Sequence, residues 1–285
     1  MYTVQRSIVT LLALATSGMV FAQGGLPASQ PNYLTIIREE VKLGRSAEHT
    51  KLEAGWPAVF EKVKWPDYYV AAESLTGRSE VWFIVPSASH QAMGESLKRE
   101  STDPVLSVEL PRLSRADSDV LASVSSIQTM ARKDLSFGAF PDVGKMRFYE
   151  ITLFRVRPGH EEQFEAAAKA YGSAAQRSAP GISYRVYEVM AGMPGPTYFV
   201  FSSVASYGDF DEMMTSSMAI MKGASEEERR TLQTFSAEGL VNTETQRFRV
   251  DPAMSYVPKE TRASDPDFWM PKKLAPAKST SASQQ

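Results

Sequence analysis

The sequence predicts an α+β fold of two tandem βαββαβ units whose antiparallel sheets pack face to face as an intramolecular barrel. Two motifs recur at one spacing. Val41–Gly44 returns 115 residues later as Val156–Gly159, and Glu73–Gly77 returns at the same offset as Glu188–Gly192. Each copy of the first motif follows an apolar run and precedes a helical pattern. This recurrence indicates a duplicated unit, in which each copy can bury the apolar sheet face of the other.

Hydrophobic periodicity assigns the elements of the second copy. Apolar residues alternate over Glu150–Val156, as in a strand, and fall at helical spacing from about 160 to 177. A helix from near Tyr207 and a helix capped by Ser225 precede the last strand. The remaining predicted strands are Ser183–Met190, Tyr198–Ser202 and Val241–Val250.

The first copy repeats this order. Pro57 predicts a kink in its first long helix, because proline removes a backbone donor. Ser114 with Asp117, like Ser225 with Glu228, predicts a capping box at the start of a helix. The last strand of this copy is predicted at about 124–132.

Composition narrows the classes of function. The chain has 285 residues, of which 43% are hydrophobic, and a net charge of -2. This near-neutral balance argues against a nucleic-acid partner, which would require a basic excess or patch. Cysteine is absent, which excludes disulfides, thiol nucleophiles and thiolate metal ligands.

Residues 1–22 have the features of a secretory signal peptide. Arg6 supplies the positive charge, Ile8–Ala15 is a short apolar stretch, and Val20-Phe21-Ala22 is a cleavage site. We therefore expect a bacterial periplasmic or secreted protein, cleaved near Ala22 and without a stable membrane span. The alternative is an uncleaved membrane anchor.

The predicted units span residues 32–137 and 146–256, and a tail rich in proline, serine and lysine spans 257–285. The tail is expected to be disordered toward its end. Phe268-Trp269 is too apolar for a free linker, so we expect it to dock on the barrel; the alternative is an exposed motif for a partner.

The order of elements resembles the dimeric α/β-barrel superfamily of ferredoxin-like topology. Each copy has a strand, a Leu-Gly or Pro-Gly turn, an amphipathic helix, a strand, a glycine turn, an aromatic strand, a helix and a strand. The resemblance covers residues 32–137 and 146–256. The superfamily includes antibiotic-biosynthesis-type and haem-degrading monooxygenases and NIPSNAP-type proteins. The resemblance implies a pocket between sheet and helices in each unit, and a monomer that is complete as an internal pseudo-dimer.

Residues of the first copy are the candidates for ligand binding: His49, Trp56, Tyr69 and His90. Large aromatic walls with few polar groups are typical of apolar ligand pockets. The alternatives are core packing for the aromatics and a hydrogen-bonded or surface role for the histidines. Haem-degrading relatives use a helical histidine as iron ligand, which makes haem an alternative cofactor; otherwise no cofactor and no metal are predicted.

The catalytic candidates are His49, Glu73 and Glu188. The two glutamates occupy the same place in both copies, and a buried strand glutamate could act as a general base; the alternative is a solvent-facing role. Known hydrolase, phosphate-binding and dinucleotide-binding motifs are absent. The leading hypothesis is a binding protein for a small apolar or aromatic molecule. The alternatives are a cofactor-independent or haem-linked monooxygenase-like enzyme and a structural or interaction module.

Overall fold

The structure is a computed structural model that describes residues 25–270. The predicted signal peptide and the tail beyond residue 270 lie outside the described residues. Eight antiparallel strands form one closed barrel in the order β1-β3-β2-β8-β5-β7-β6-β4. The strands are β1 Tyr33–Val41, β2 Tyr69–Ser74, β3 Glu80–Ser87, β4 Leu121–Ala131, β5 Phe148–Val156, β6 Arg185–Ala191, β7 Thr197–Val204 and β8 Leu240–Tyr256.

The barrel closes through two junctions between the halves of the chain. At one junction β2 pairs with β8, and at the other β4 pairs with β6. The predicted face-to-face packing of two sheets therefore takes the form of one continuous barrel. Closure satisfies the backbone donors and acceptors that two separate sheets would expose at their edges.

Helices pack around the barrel. They are α1 Ser46–Glu53, α2 Gly55–Val63, α3 His90–Thr102, α4 Leu106–Asp117, α5 Glu161–Ser178, α6 Asp209–Gly223, α7 Glu226–Thr234, α8 Lys259–Ser264 and α9 Pro266–Trp269. A 3-10 turn spans Val143–Lys145 and a π-helical turn Phe235–Gly239. No helix within residues 25–270 is long and apolar enough to cross a membrane.

The helix termini test two of the predictions from sequence. The capping box of Ser225 and Glu228 at the start of α7 is confirmed. The one predicted for Ser114 and Asp117 is wrong, because both residues lie in the last turn of α4. The kink near Pro57 occurs as a break between α1 and α2, and proline is tolerated in the first turn of α2, where the N–H groups lack helical acceptors.

The barrel interior is an aromatic and aliphatic core. Its buried strand residues are Leu34, Ile36, Val70, Ala72, Trp82, Ile127, Tyr149, Ile151, Tyr187, Phe199, Phe201, Phe248 and Val250. Trp269 of α9 belongs to the same cluster, and its Nε1 donates to the Gly144 carbonyl at 3.1 Å. The guanidinium of Arg147 lies 3.8 Å from the Phe268 ring. The predicted docking of Phe268-Trp269 is thus confirmed.

Backbone features recur at the offset seen in the sequence. Gly44 and Gly159 have φ values of 79° and 87°, and Gly77 and Gly192 have φ values of 80° and 90°. A register shift occurs between Glu40 and Val41 of β1 and again between the corresponding residues of β5. Glycine adopts positive φ values without steric cost, so the recurring motifs mark turns of one geometry.

Gly192 and Gly159 offer a matched test of close packing at a junction. A Cβ at Gly192 would lie 2.1 Å from the Ser126 carbonyl oxygen, whereas a Cβ at Gly159 would meet nothing within 4 Å. Gly159→Ala should therefore cost only the left-handed strain, about 1–2 kcal/mol. Gly192→Ala must also displace β4 and should cost at least about 3 kcal/mol. Chemical denaturation measures both, and equal losses would contradict this account.

Candidate functional site

The second half contains a cleft of about 900 Å³ between the outer face of the barrel and helices α5 and α6. The apolar walls of the cleft come from both the barrel strands and the helices. Aromatic residues that line it are Phe154, Phe164, Tyr171, Tyr184, Phe210 and Phe235. Its size and lining are typical of a binding site for a small organic molecule.

One ion pair interrupts this apolar wall. Arg247 of β8 donates from Nε to a carboxylate oxygen of Glu150 on β5 at 2.9 Å, and both side chains line the cleft. The guanidinium also lies 4.2 Å from the centre of the Phe210 ring. The hydrogen bond with Glu150 raises the pKa of Arg247, so its positive charge is permanent. The cleft therefore combines stacking surfaces with one fixed cation.

The first half places charged residues between sheet and helices instead. His49 Nε2 lies 2.8 Å from a carboxylate oxygen of Glu39. Glu53 follows His49 by four residues on α1, so both side chains project from one face of the helix. One potential ligand atom from each of Glu39, His49 and Glu53 lies within 4.8 Å of the other two. We call these three residues the Glu-His-Glu cluster, and its donor set could hold a metal ion.

Burial sets the protonation of Glu53. Its side chain is 3% exposed, and burial, the charge of Glu39 and contact with Asp117 raise its pKa to about 10. One oxygen of Glu53 and one of Asp117 lack a hydrogen-bond partner, and a proton shared between the carboxyls would satisfy both. The other Asp117 oxygen accepts from Trp56 Nε1 at 3.2 Å.

The two halves use corresponding positions differently. An offset of 115 residues aligns β1 with β5 and the start of α1 with the start of α5. At this offset the counterparts of Glu39, His49 and Glu53 are Phe154, Phe164 and Ala168. All three of these counterparts line the cleft. The space between sheet and helices thus holds an aromatic cleft in one half and buried titratable groups in the other.

None of the ligand-binding candidates His49, Trp56, Tyr69 and His90 lines this cleft. His49 and Trp56 belong to the polar environment around Glu53. Tyr69 is buried, and its pKa is raised by burial first and by the nearby Glu53 and Glu39 charges second. His90 begins α3, and its ring lies 4.6 Å from that of Tyr33. Their role in binding stays a prediction.

The recurring glutamates occupy the two junctions of the barrel. Glu73 of β2 accepts from Arg249 of β8 at 2.7 Å, and Glu188 of β6 accepts from Arg132, just after β4, at 3.2 Å. Each ion pair joins strands from different halves. This cross-junction role accounts for their recurrence without assigning them a catalytic step.

The cleft does not suit a histidine-ligated haem. The chain has three histidines, and none of them lines the cleft. His49 is bound to Glu39, and His160, just before α5, lies with its Nδ1 2.9 Å from the Gln163 side-chain oxygen. No imidazole is therefore available there as an iron ligand.

Sequence reasoning missed five residues of these sites: Glu39, Glu53, Asp117, Glu150 and Arg247. The spacing of His49 and Glu53 was the one signal that could have indicated the first site, because helical neighbours four apart share a face. Glu39, Asp117, Glu150 and Arg247 reach their sites from other elements, and nothing local marks them.

Solved structures with this fold are distant in sequence. An anthrone oxidase-like protein is 13% identical over 79% of this chain and 94% of its own, with a TM-score of 0.54. A monooxygenase-like protein of Fusobacterium nucleatum is 8% identical over 76% and 91%, with a TM-score of 0.52. A mutant chlorite dismutase from Candidatus Nitrospira defluvii, 8% identical over 79% and 93%, has a TM-score of 0.47, too low to carry an argument.

These neighbours belong to the dimeric α/β-barrel superfamily of ferredoxin-like topology. The mixed α+β closed barrel of this chain is consistent with that architecture. At such identities the likeness shows the fold alone, and it does not single out a NIPSNAP-type branch. No family model and no curated protein matches the chain.

The raised pKa of Glu53 predicts a pH-dependent stability. The pKa is about 10 in the folded chain and about 4.3 when unfolded, so the folded state holds an extra proton between these values. The stability that this proton contributes is fully present below about pH 4 and is lost as pH rises toward 10. As pH rises, the free energy of unfolding of wild type should fall relative to that of Glu53→Gln by up to about 1.4 kcal/mol per pH unit.

Urea denaturation from pH 5 to 9, in buffer with a chelator, measures this difference. Glu48→Gln is the matched control, because Glu48 is on the same helix and its pKa is lowered by Arg45. Parallel stability profiles for wild type and Glu53→Gln would show that Glu53 is ionised in the folded chain.

Proposed function

We propose that this chain is a monooxygenase-like enzyme that oxidises a flat aromatic substrate with O2, without a bound cofactor, in the cleft of the second half. The observation that carries the proposal is the aromatic cleft with the Glu150–Arg247 pair in its wall. The anthrone oxidase-like and monooxygenase-like neighbours support this class of reaction over simple binding. Anthrone, a three-ring ketone with an activated methylene, represents the substrate class.

The reaction balances with O2 as the oxidant. Loss of a methylene proton leaves a carbanion whose charge spreads to the ring oxygen. The carbanion reduces O2 and combines with it to form a peroxide anion. The first proton returns to the peroxide anion to give a hydroperoxide. Removal of the remaining hydrogen of that carbon as a proton, with cleavage of the O–O bond, forms the new carbonyl and releases hydroxide, which takes up this second proton to give water.

In this reaction Arg247 would stabilise the negative charge that develops on the substrate, and Glu150 would accept the proton. A guanidinium has five N–H donors. Glu150 accepts from the one on Nε and Tyr207 also hydrogen-bonds the group, so the remaining N–H groups suit an anionic ring oxygen. We assign Glu150 as the proton acceptor, because it borders both the cation and the cleft. Asp209, another acidic residue of the cleft, already caps α6 through Ser206.

We expect the purified protein to oxidise anthrone faster than the uncatalysed reaction, followed by O2 uptake and by absorbance of the quinone. Arg247→Met should lower kcat/KM about 100-fold, as for the loss of an oxyanion donor. Glu150→Gln should lower kcat about 100-fold, because the proton acceptor is lost.

Arg249→Met is the matched control. Arg249 lies two residues further along the same strand and pairs with Glu73 outside the cleft. The activity of the Arg249→Met variant should therefore equal that of wild type. Ala168→Phe should fill the cleft and abolish binding, whereas Ala166→Phe, exposed on the same helix, should not. Anthrone binding without oxidation would identify a binding protein, and equal activity in all variants would place the reaction elsewhere.

We further propose that the halves are tandem copies of one ferredoxin-like unit, that the chain is therefore a monomer, and that it is exported. The recurring turn glycines and register shifts support the duplication. The charge and cleavage pattern of residues 1–22 supports export.

Expression of the full chain with an export-competent bacterial host tests both points. We expect a periplasmic protein that begins at Gln23 by intact mass and is monomeric by light scattering. A cytoplasmic chain with an intact N-terminus would contradict export, and a stable dimer would contradict the internal pseudo-dimer.

A further inference from the structure

The Glu-His-Glu cluster contains more acidic than basic groups. Glu39, Glu53 and the neighbouring Asp117 bring three carboxyl groups together, and within residues 25–270 none of them forms an ion pair with lysine or arginine. His49, 1% exposed, is the one basic partner in contact. Buried carboxylates are stable only when paired, protonated or bound to a metal.

An unpartnered side chain points into the cluster. Glu53 is only 3% exposed, and its Oε1 has no hydrogen-bond partner. This oxygen belongs to the side chain that shares the 4.8 Å cluster with the imidazole and the Glu39 carboxylate. A buried acceptor without a donor is rare in native folds and indicates that a cation or a proton completes the site.

We propose that Glu39, His49 and Glu53 bind a divalent first-row transition-metal ion such as Zn²⁺. One imidazole nitrogen and two carboxylates form a donor set suited to this class, whereas Ca²⁺ prefers oxygen ligands alone and Cu⁺ prefers sulfur. Ligand atoms about 2.0 Å from a tetrahedral ion lie about 3.3 Å apart. The three ligand atoms lie within 4.8 Å of one another, so binding an ion would draw them closer together.

The helix and strand prearrange this site. His49 and Glu53 are one turn apart on α1, and Glu39 is held on β1 by pairing with both β3 and β4. Glu39, whose side chain is 12% exposed, is the accessible edge through which an ion enters. The corresponding positions of the second half carry no such donors, so one ion per chain is expected.

Isothermal titration of the chelator-treated full chain with Zn²⁺ tests the proposal, and the visible absorption of bound Co²⁺ reports its coordination. We expect one ion per chain. Removal of a residue that only hydrogen-bonds a metal ligand lowers metal affinity about 10–100-fold. Removal of a direct ligand should cost more, so Glu39→Gln, His49→Gln and Glu53→Gln should each weaken binding at least about 100-fold. His90→Gln and His160→Gln should bind as wild type, because they lie outside the cluster.

Thermal unfolding separates metal binding from misfolding. Zn²⁺ should raise the Tm of wild type but not of Glu53→Gln, and metal-free Glu53→Gln should unfold in a single cooperative transition, as metal-free wild type does. Absence of Zn²⁺ binding to wild type would overturn the proposal, as would binding that Glu39→Gln and Glu53→Gln leave unchanged. Loss of binding in His90→Gln or His160→Gln alone would assign the ion to the surface and also overturn it.

Discussion

The structure depends on the closure of one sheet by strands from opposite halves of the chain. The β2–β8 and β4–β6 junctions convert two potential sheet edges into continuous hydrogen-bonded ladders. Closure also encloses the apolar core around Trp82, Phe199 and Phe248. Neither half could cover its inner face alone, so the core and the junctions stabilise each other.

The junctions also explain why particular polar residues recur. Glu73 and Glu188 each bind an arginine from the other half, and Gly192 packs against the backbone of β4. Exposed ion pairs contribute little free energy by themselves. Their value here is geometric, because each pair joins residues that are distant in sequence at the register required for closure.

With the inner face committed to the core, the outer face is free to differ between halves. In the second half, aromatic residues and Ala168 leave a cleft beside the Glu150–Arg247 pair. In the first half, Glu39, His49 and Glu53 fill the corresponding space with titratable groups. The closed barrel thus offers two chemically unlike environments on its outer face, one suited to an aromatic molecule and one to a cation.

The sequence by itself determined the period of the elements, the turn glycines and the Ser225 cap, because these depend on neighbours within a few residues. It showed the motifs that recur 115 residues apart. It also marked His49 and Trp56 as residues of interest. Tertiary structure decided that the sheets join at their edges, that Ser114 ends a helix instead of starting one, and that Glu73 and Glu188 belong to junctions. It also brought Glu39 to His49 and Arg247 to Glu150. Those contacts are made between separate elements, and a pattern along one chain cannot specify which side chains meet across a closed barrel.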